Sequence, residues 1–153
     1  MTVPDDLVEF VAAYEGWVDH PYVCPGGKWT IGYGYNMEAN GIPAWLARQI
    51  IEGRPITREQ GAKLLIDEIA NCISQARRII PNFADIDRAR QFVIVDMCYN
   101  LGATGFSRFT STIAAIVAGR YGQAAKHMSD SLWYRQVGDR AKRNVRIMRS
   151  GKL

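Results

Sequence analysis

The sequence predicts an α+β fold that is mainly helical, with a small N-terminal antiparallel β-sheet lobe joined by a long helix to a helical C-terminal lobe. Large and small side chains alternate from Trp29 to Tyr35, which is the period of a β-strand. A helical apolar pattern of about two dozen residues follows Thr57 and ends at Pro81, long enough to link two lobes. A further helix, which includes the apolar run 92–95, is apolar nearly all round and should be the buried centre of the second lobe.

The first helix is predicted over residues 5–15, after Pro4. Its apolar residues Leu7, Phe10, Val11 and Tyr14 recur at helical spacing and give it one apolar face. Glu15 is placed at its C-terminal end, where the helix dipole disfavours a negative charge. An acid at that position is expected to favour its protonated form unless a cation offsets the effect.

A β segment follows, with its turn at Gly26-Gly27. The period of two places Trp29, Ile31, Tyr33 and Tyr35 on one face of the sheet, and Thr30 with Gly32 and Gly34 on the other. A face without large side chains beside a hydroxyl would let a ligand approach closely. A flexible glycine-rich hairpin is the competing interpretation, whereas a dinucleotide-binding loop lacks its third glycine and its following helix.

The predicted helices after the sheet begin with a short one that runs to about Glu52. The capping box Thr57-x-x-Gln60 opens the long helix, 57–80, between an N-terminal lobe of about 14–56 and a C-terminal lobe of about 81–153. The long helix buries Leu65, Ile66, Ile69, Ile73, Ala76 and Ile80 on one side. In the C-terminal lobe, residues 85–87 cap a helix that ends at Gly102, and helix 5–15 is expected to pack on this lobe. Shorter helices are predicted over about 107–118 and 121–131, and Asp139 caps a last helix that runs to about Arg149.

Composition limits the function classes. The 153 residues suit one domain, and 48% hydrophobic with 22% charged residues can bury a core. No apolar run is long enough to span a bilayer, so no stable membrane insertion is expected, and the start lacks the features of a signal peptide, which predicts synthesis in a cytoplasm. An odd number of cysteines, Cys24, Cys72 and Cys98, suits a reducing compartment. The chain is expected to be a monomer.

The net charge of +4 is unevenly distributed. Residues 1–27 carry five acids and no lysine or arginine, whereas the stretch 135–152 carries seven basic residues and Asp139 alone as an acid. The basic stretch fits an anionic polymer or membrane surface, a fold-back onto the acidic start, or a solvated helix face, and the last accounts for most of its charges. No aromatic residues interleave with it after Tyr134, so nucleic acid is not an expected partner.

One short segment carries the chemistry. Glu15, Cys24 and Thr30 are spaced as E-x8-C-x5-T around the glycine turn. A carboxylic acid that protonates a leaving oxygen, together with a group acting on water, is what glycoside hydrolysis requires. Cys24 could be a base, a nucleophile or a thiol that positions water with Thr30, and without a lowered pKa it is a poor base. A nucleophilic pair with His20 and a metal site both lack a recognisable spacing.

These residues resemble a family. E-x8-(D or C)-x5-T is the catalytic motif of bacteriophage-type lysozymes, the endolysins of glycoside hydrolase family 24. The resemblance continues in family order along nearly the whole chain, through residues 30–34, 56–60, 96–102, 105–109, 133–136 and 140–143.

The resemblance implies a role for each matching residue. Glu15 would be the proton donor, Cys24 would replace the more familiar aspartate, and Thr30 would help to place the water. Arg140 would pair with the acid, and the substrate-binding residues would be Gly34, Tyr99 and Asn100. Tyr35 stands where the familiar pattern has histidine, so an ion pair of the family is expected to be missing.

The implied function is that of a muramidase acting on peptidoglycan, with no cofactor and no metal. It would reach the cell wall after release from the cytoplasm by a separate holin. Three alternatives remain open: a chitinase-like activity, a lytic transglycosylase, and a non-catalytic, basic, wall-binding antimicrobial protein.

Overall fold

The structure, a computed structural model, describes residues 2–153. The predicted α+β class is confirmed, with a three-stranded antiparallel sheet and many helices. The chain divides into two compact units, one ending at Ala70 and the other running from Asn71 to Leu153. Among residues 2–153, no helix combines the length and the apolar character needed to cross a membrane.

The N-terminal unit begins with helix α1, Asp5–Ala12, which buries Leu7 and Val11. The prediction that this helix reaches residue 15 is wrong, and Tyr14, which was predicted on its apolar face, lies beyond the helix and is 44% exposed. The Glu15 N–H bonds to the Ala12 carbonyl at 3.0 Å, three residues back, so the chain has turned out of the α-helical pattern. Glu15 therefore lies in the connection after α1 and not in its last turn, which weakens the helix-dipole argument made for it.

The sheet has the order β1-β2-β3, from strands Val18–Val23, Trp29–Gly32 and Tyr35–Asn36. The predicted alternation holds only in part. Ile31 and Tyr35 are buried but Trp29 is half exposed, and β2 ends at Gly32, where φ is +67°. A Cβ on Gly32 would touch Ile56, Gly61 and Trp17, so at Gly32 the face expected to be open to a ligand is covered by neighbouring side chains and backbone.

The core of the N-terminal unit lies beside this sheet. Two short helices follow the strands, α2 (Met37–Asn40), which the sequence analysis missed, and α3 (Ala44–Ile51), which it anticipated. Together with the strands and α4 (Arg58–Ile79) they enclose the buried cluster Ile31, Tyr35, Leu46, Ile56 and Leu64.

The predicted capping box at the start of α4 is confirmed. The Gln60 N–H donates to Thr57 Oγ1 at 3.1 Å, and the Thr57 N–H donates to Gln60 Oε1 at 2.9 Å. Most of the predicted apolar face is buried, including Leu65 and Ile69, but Ile66 is 39% exposed and does not belong to it.

The second unit is helical. Asp87 caps α5 (Arg88–Ser107) by accepting the Arg90 N–H at 3.0 Å, and the helical path breaks at Gly102, where φ is +74°. The helices that follow are α6 (Thr110–Val117), α7 (Tyr121–Ser129), α8 (Leu132–Val137) and α9 (Asp139–Ser150). Helix α8 was not predicted. Asp139 is the first residue of α9 and not its cap, because Gly138 occupies the cap position with φ of +72°.

Candidate active site

Cys24 lies at the start of the turn between β1 and β2. Its N–H donates to the Lys28 carbonyl at 2.9 Å, and its carbonyl accepts the Gly27 N–H at 2.8 Å. Gly27, with φ of +79°, adopts the left-handed conformation that this tight turn requires. The thiol is partly exposed, and a Cβ on Gly26 would lie 3.7 Å from Sγ, so the turn backbone wraps around the sulfur.

The pKa of the Cys24 thiol is lowered from its ordinary value. The largest cause is a hydrogen bond with the Thr30 side chain, and further hydrogen bonds from the backbone of Lys28 and Gly26 act in the same direction. A lowered pKa is what Cys24 would need to act as a base, and the pKa of its thiol is shifted in that direction. The hydrogen bonds that favour the thiolate therefore come from Thr30 of β2 and from the backbone of the turn.

Thr30 is buried on β2, and its Oγ1 donates to the Lys28 carbonyl at 2.9 Å. A hydroxyl has one proton, so Thr30 cannot donate to Lys28 and to Cys24 at once. With a neutral thiol, Thr30 donates to Lys28 and accepts from the S–H. With a thiolate, the hydroxyl proton must turn toward sulfur. Thr30 can therefore serve both protonation states of Cys24 by rotation of one O–H bond.

Glu15 is partly buried between α1 and β1. Its charge raises the pKa of two other groups of the same unit, Tyr22 and Glu68. The charge of Cys24 acts on Tyr22 as well, after the larger effect of burial. Tyr22 thus lies within electrostatic reach of both the candidate acid and the candidate base.

Tyr22 and Glu68 were both missed by the sequence analysis. Tyr22 pairs with Thr30 across β1 and β2, which only the strand register reveals. Glu68 lies four residues, about one helical turn, after the buried Leu64 of α4. This spacing places it at the edge of the buried face of the helix and could have been read from the sequence.

Gly34 lies in the turn after β2, and Tyr35 is the first residue of β3. Gly34 has φ of +78°, and the adjacent Tyr33 packs on Trp17 with ring centroids 4.7 Å apart. The Tyr35 hydroxyl donates to the Gly41 carbonyl at 2.9 Å. Burial, then the charges of Glu68 and Asp67, raise the pKa of Tyr35, so a neutral phenol stands where the family resemblance places histidine.

In the second unit, Arg140 is bound by Asp96, to which the sequence analysis assigned no role. The two form a bidentate pair, with Nη2 to Oδ1 at 2.7 Å and Nε to Oδ2 at 3.0 Å. The guanidinium carbon also lies 6.0 Å from the ring centroid of Tyr99. The Asn100 side-chain oxygen accepts the Trp133 indole N–H at 2.8 Å. The predicted pairing of Arg140 with Glu15 stays a prediction.

The second unit holds an open pocket of about 300 Å³, whose lining includes Arg108, Phe109, Thr112 and His127. Among residues 2–153, no group of three or more histidine, cysteine, aspartate and glutamate side chains is arranged to hold a metal ion. His20, an exposed residue of β1, is hydrogen-bonded to Asp19 at 2.9 Å.

Comparison with known proteins identifies the family. The family model described as phage lysozyme matches residues 12–147, which include every candidate site residue from Glu15 to Arg140. The chain belongs to the phage lysozyme family. The resemblance inferred from the E-x8-C-x5-T motif is thereby confirmed.

Individual relatives agree with this assignment. The chain is 31% identical to the pre-baseplate central spike protein Gp5 of Enterobacteria phage T4, over 71% of the chain and 20% of that protein. It is 26% identical to an endolysin of Acyrthosiphon pisum secondary endosymbiont phage 1, over 74% of the chain and 67% of that protein. It is 25% identical to the probable T4-type lysozyme 1 of Dictyostelium discoideum, over 46% of the chain and 42% of that protein. The chain therefore spans a fifth of the spike protein and less than half of the Dictyostelium protein.

Proposed function

We propose that the protein is a muramidase that hydrolyses the β-1,4 bond between N-acetylmuramic acid and N-acetylglucosamine in bacterial peptidoglycan. The observation that carries the proposal is the family match over residues 12–147, which contains the complete E-x8-C-x5-T motif. The lowered pKa of Cys24 and its hydrogen bond with Thr30 give that motif a group able to act on water. As an endolysin, it would be made in the host cytoplasm and act on the wall as a monomer after release through a holin.

In the proposed reaction, Glu15 donates its proton to the glycosidic oxygen as the bond from the anomeric carbon to that oxygen breaks. The developing positive charge is met by a water molecule positioned by Thr30 and Cys24. The water oxygen bonds to the anomeric carbon and its proton passes to the Cys24 thiolate. Proton exchange with solvent then restores the acid and the thiolate. Arg140 is assigned the support of Glu15, and Gly34, Tyr99 and Asn100 are assigned saccharide contacts.

The first test replaces the acid. Glu15→Gln keeps the size of the side chain and removes its proton, so it should fold normally and lose at least about a hundredfold in clearing a peptidoglycan suspension. Glu9→Gln on the exposed side of α1 is the matched control and should keep full activity. Full activity of Glu15→Gln would overturn the assignment of Glu15 as the acid.

The second test concerns the group acting on water. Cys24→Asp supplies a carboxylate base at the same position and should retain activity within about tenfold, whereas Cys24→Ser has no accessible anion and should lose about a hundredfold or more. A serine variant with nearly full activity would show that the thiol only positions water. The pH dependence of activity, measured on both variants, separates a base from a group that only positions water. A base must be ionised to act, so its protonation lowers the activity at acidic pH, whereas a group that only positions water shows no such loss.

The alternative activities give different products. A hydrolase leaves reducing ends on the glycan and a lytic transglycosylase leaves anhydro ends, so mass spectrometry of digested peptidoglycan decides between them. A chitinase-like enzyme would instead release fragments from chitin. The non-catalytic alternative is based on the exposed basic residues of α9, Lys142, Arg146 and Arg149. Bacterial killing that persists in Glu15→Gln would support it.

A further inference from the structure

The short helix α2 and its flanks, residues 36–41, form a segment that we name the α2 turn. Three side-chain contacts join it to the rest of its unit. Glu38 accepts the Trp29 N–H at 2.8 Å, Gly41 accepts the Tyr35 hydroxyl at 2.9 Å, and Asn40 donates to Glu68 Oε1 at 3.3 Å. Each of the first two bonds includes one backbone group, whereas the third joins two side chains, one of which is the ionisable Glu68 of α4.

Glu68 lies in an environment suited to a neutral acid. Its Oε2 is shielded from solvent and has no hydrogen-bond partner among residues 2–153. Its Oε1 accepts a long bond, 3.3 Å, from the Asn40 amide. The Tyr35 hydroxyl is already committed to Gly41 and does not supply a donor. A buried carboxylate with one unsatisfied oxygen is costly, whereas the protonated acid carries no charge.

The charged groups around Glu68 do not offset that cost. The Glu15 carboxylate, in the connection after α1, disfavours a negative charge on Glu68. The neighbouring residue Asp67 is also an acid, and its charge, like that of Glu68, raises the pKa of Tyr35 in β3. From the α2 turn, Asn40 contributes an uncharged amide. Burial is the largest effect and raises the pKa of Glu68 to about 7. The Asn40 hydrogen bond opposes burial, and the smaller effect of the Glu15 charge adds to it.

We propose that Glu68 is a proton-dependent latch: the protonated carboxyl keeps Asn40 and the α2 turn in place, and the ionised carboxylate moves to water and releases them. The proton lost from Glu68 passes to solvent, and no other group needs to change its charge. The α2 turn follows Gly34 and Tyr35 in the chain, so its release would loosen the segment that comes after the turn between β2 and β3. The latch does not depend on the proposed lytic activity.

The test is a pH titration of the whole protein followed by nuclear magnetic resonance. The side-chain carboxyl signal of Glu68 should titrate with a midpoint near pH 7, and the amide signals of residues 37–41 should shift with the same midpoint. Protection of those amides from hydrogen exchange, corrected for the intrinsic rate, should fall at least about tenfold between about pH 5.5 and 8.5. A Glu68 midpoint near the ordinary value of 4.5, or amides that do not follow it, would overturn the proposal.

Two variants separate the latch from general effects of pH. Glu68→Gln keeps an oxygen for Asn40 and cannot ionise, so the amides of residues 37–41 should stay protected across the whole range. Asp67→Asn removes the adjacent exposed acid and should leave the transition in place. Loss of protection with rising pH in Glu68→Gln, equal to that of the natural protein, would contradict a latch at Glu68.

Discussion

Asp96 and Arg140 form a fully enclosed ion pair in the C-terminal unit, with side-chain exposures of 0% and 5%. Asp96 also accepts the Asn144 amide at 2.7 Å, and Arg143 Nη2 lies 3.1 Å from its Oδ2. One buried carboxylate of α5 therefore fixes three side chains of α9. The two parallel hydrogen bonds hold the guanidinium in the plane of the Asp96 carboxylate and so restrict the orientation of Arg140.

Asp96→Ala should destabilise the protein by about 3–5 kcal/mol, because it leaves the Arg140 charge buried without its partner. The free energy of unfolding measured in urea checks this. Asp130→Asn, which changes an exposed acid at the end of α7, is the control and should fall within about 0.5 kcal/mol of the natural protein. A loss below about 1 kcal/mol for Asp96→Ala would mean that Arg140 finds another partner or reaches water.

The role of Asp96 illustrates a limit of sequence reasoning. An apolar run broken by one acid predicts a buried helix, and α5 is buried as expected. The partners of that acid lie more than forty residues away on α9. Helical periodicity contains no information on which distant residues meet, so the ion pair could not be foreseen even though both of its helices were.

Gly61 of α4 is required because the indole of Trp17 lies against it. A Cβ at this position would be 2.2 Å from one ring carbon of Trp17. Gly61→Ala should therefore destabilise the N-terminal unit by about 1–3 kcal/mol, despite the better helix propensity of alanine. Gly122→Ala in α7 meets nothing within 4 Å and should instead stabilise by roughly 0.5 kcal/mol. Thermal unfolding of the two variants gives the comparison, and equal shifts of the same sign would contradict the packing argument.

The Thr30 hydroxyl should control the reactivity of Cys24. It is the largest cause of the lowered thiol pKa, so Thr30→Val should raise that pKa and reduce the thiolate fraction near neutral pH. The rate of alkylation by iodoacetamide between about pH 6 and 10 reports the change. Cys72 and Cys98 are buried, and burial raises the pKa of Cys98 to about 12, so the fast signal belongs to Cys24. An unchanged alkylation profile in Thr30→Val would show that the turn backbone alone lowers the pKa.

The local sequence pattern predicted one part of the sheet correctly and another part incorrectly. The glycine turn and the strand after it were predicted from the sequence, and Cys24 and Thr30 are brought together as the motif requires. The end of β2 at Gly32 was not predicted, because the alternating pattern continues unbroken to Tyr35. A positive φ at Gly32 ends the strand there, and the sequence shows only that a glycine permits it.

The stability of the protein should depend on pH through Glu68. Its folded-state pKa of about 7 exceeds the ordinary value of 4.5, so between these values the folded protein holds a proton that the unfolded chain has lost. The free energy of unfolding should therefore fall as the pH rises through this window, by up to about 3 kcal/mol, and should change no further from this cause above it. Glu68→Gln removes the effect: in urea unfolding it should match the natural protein near pH 4 and exceed its stability near pH 8. Asp67→Asn should retain the natural slope, and parallel curves for Glu68→Gln and the natural protein would show that Glu68 ionises without cost in the folded state.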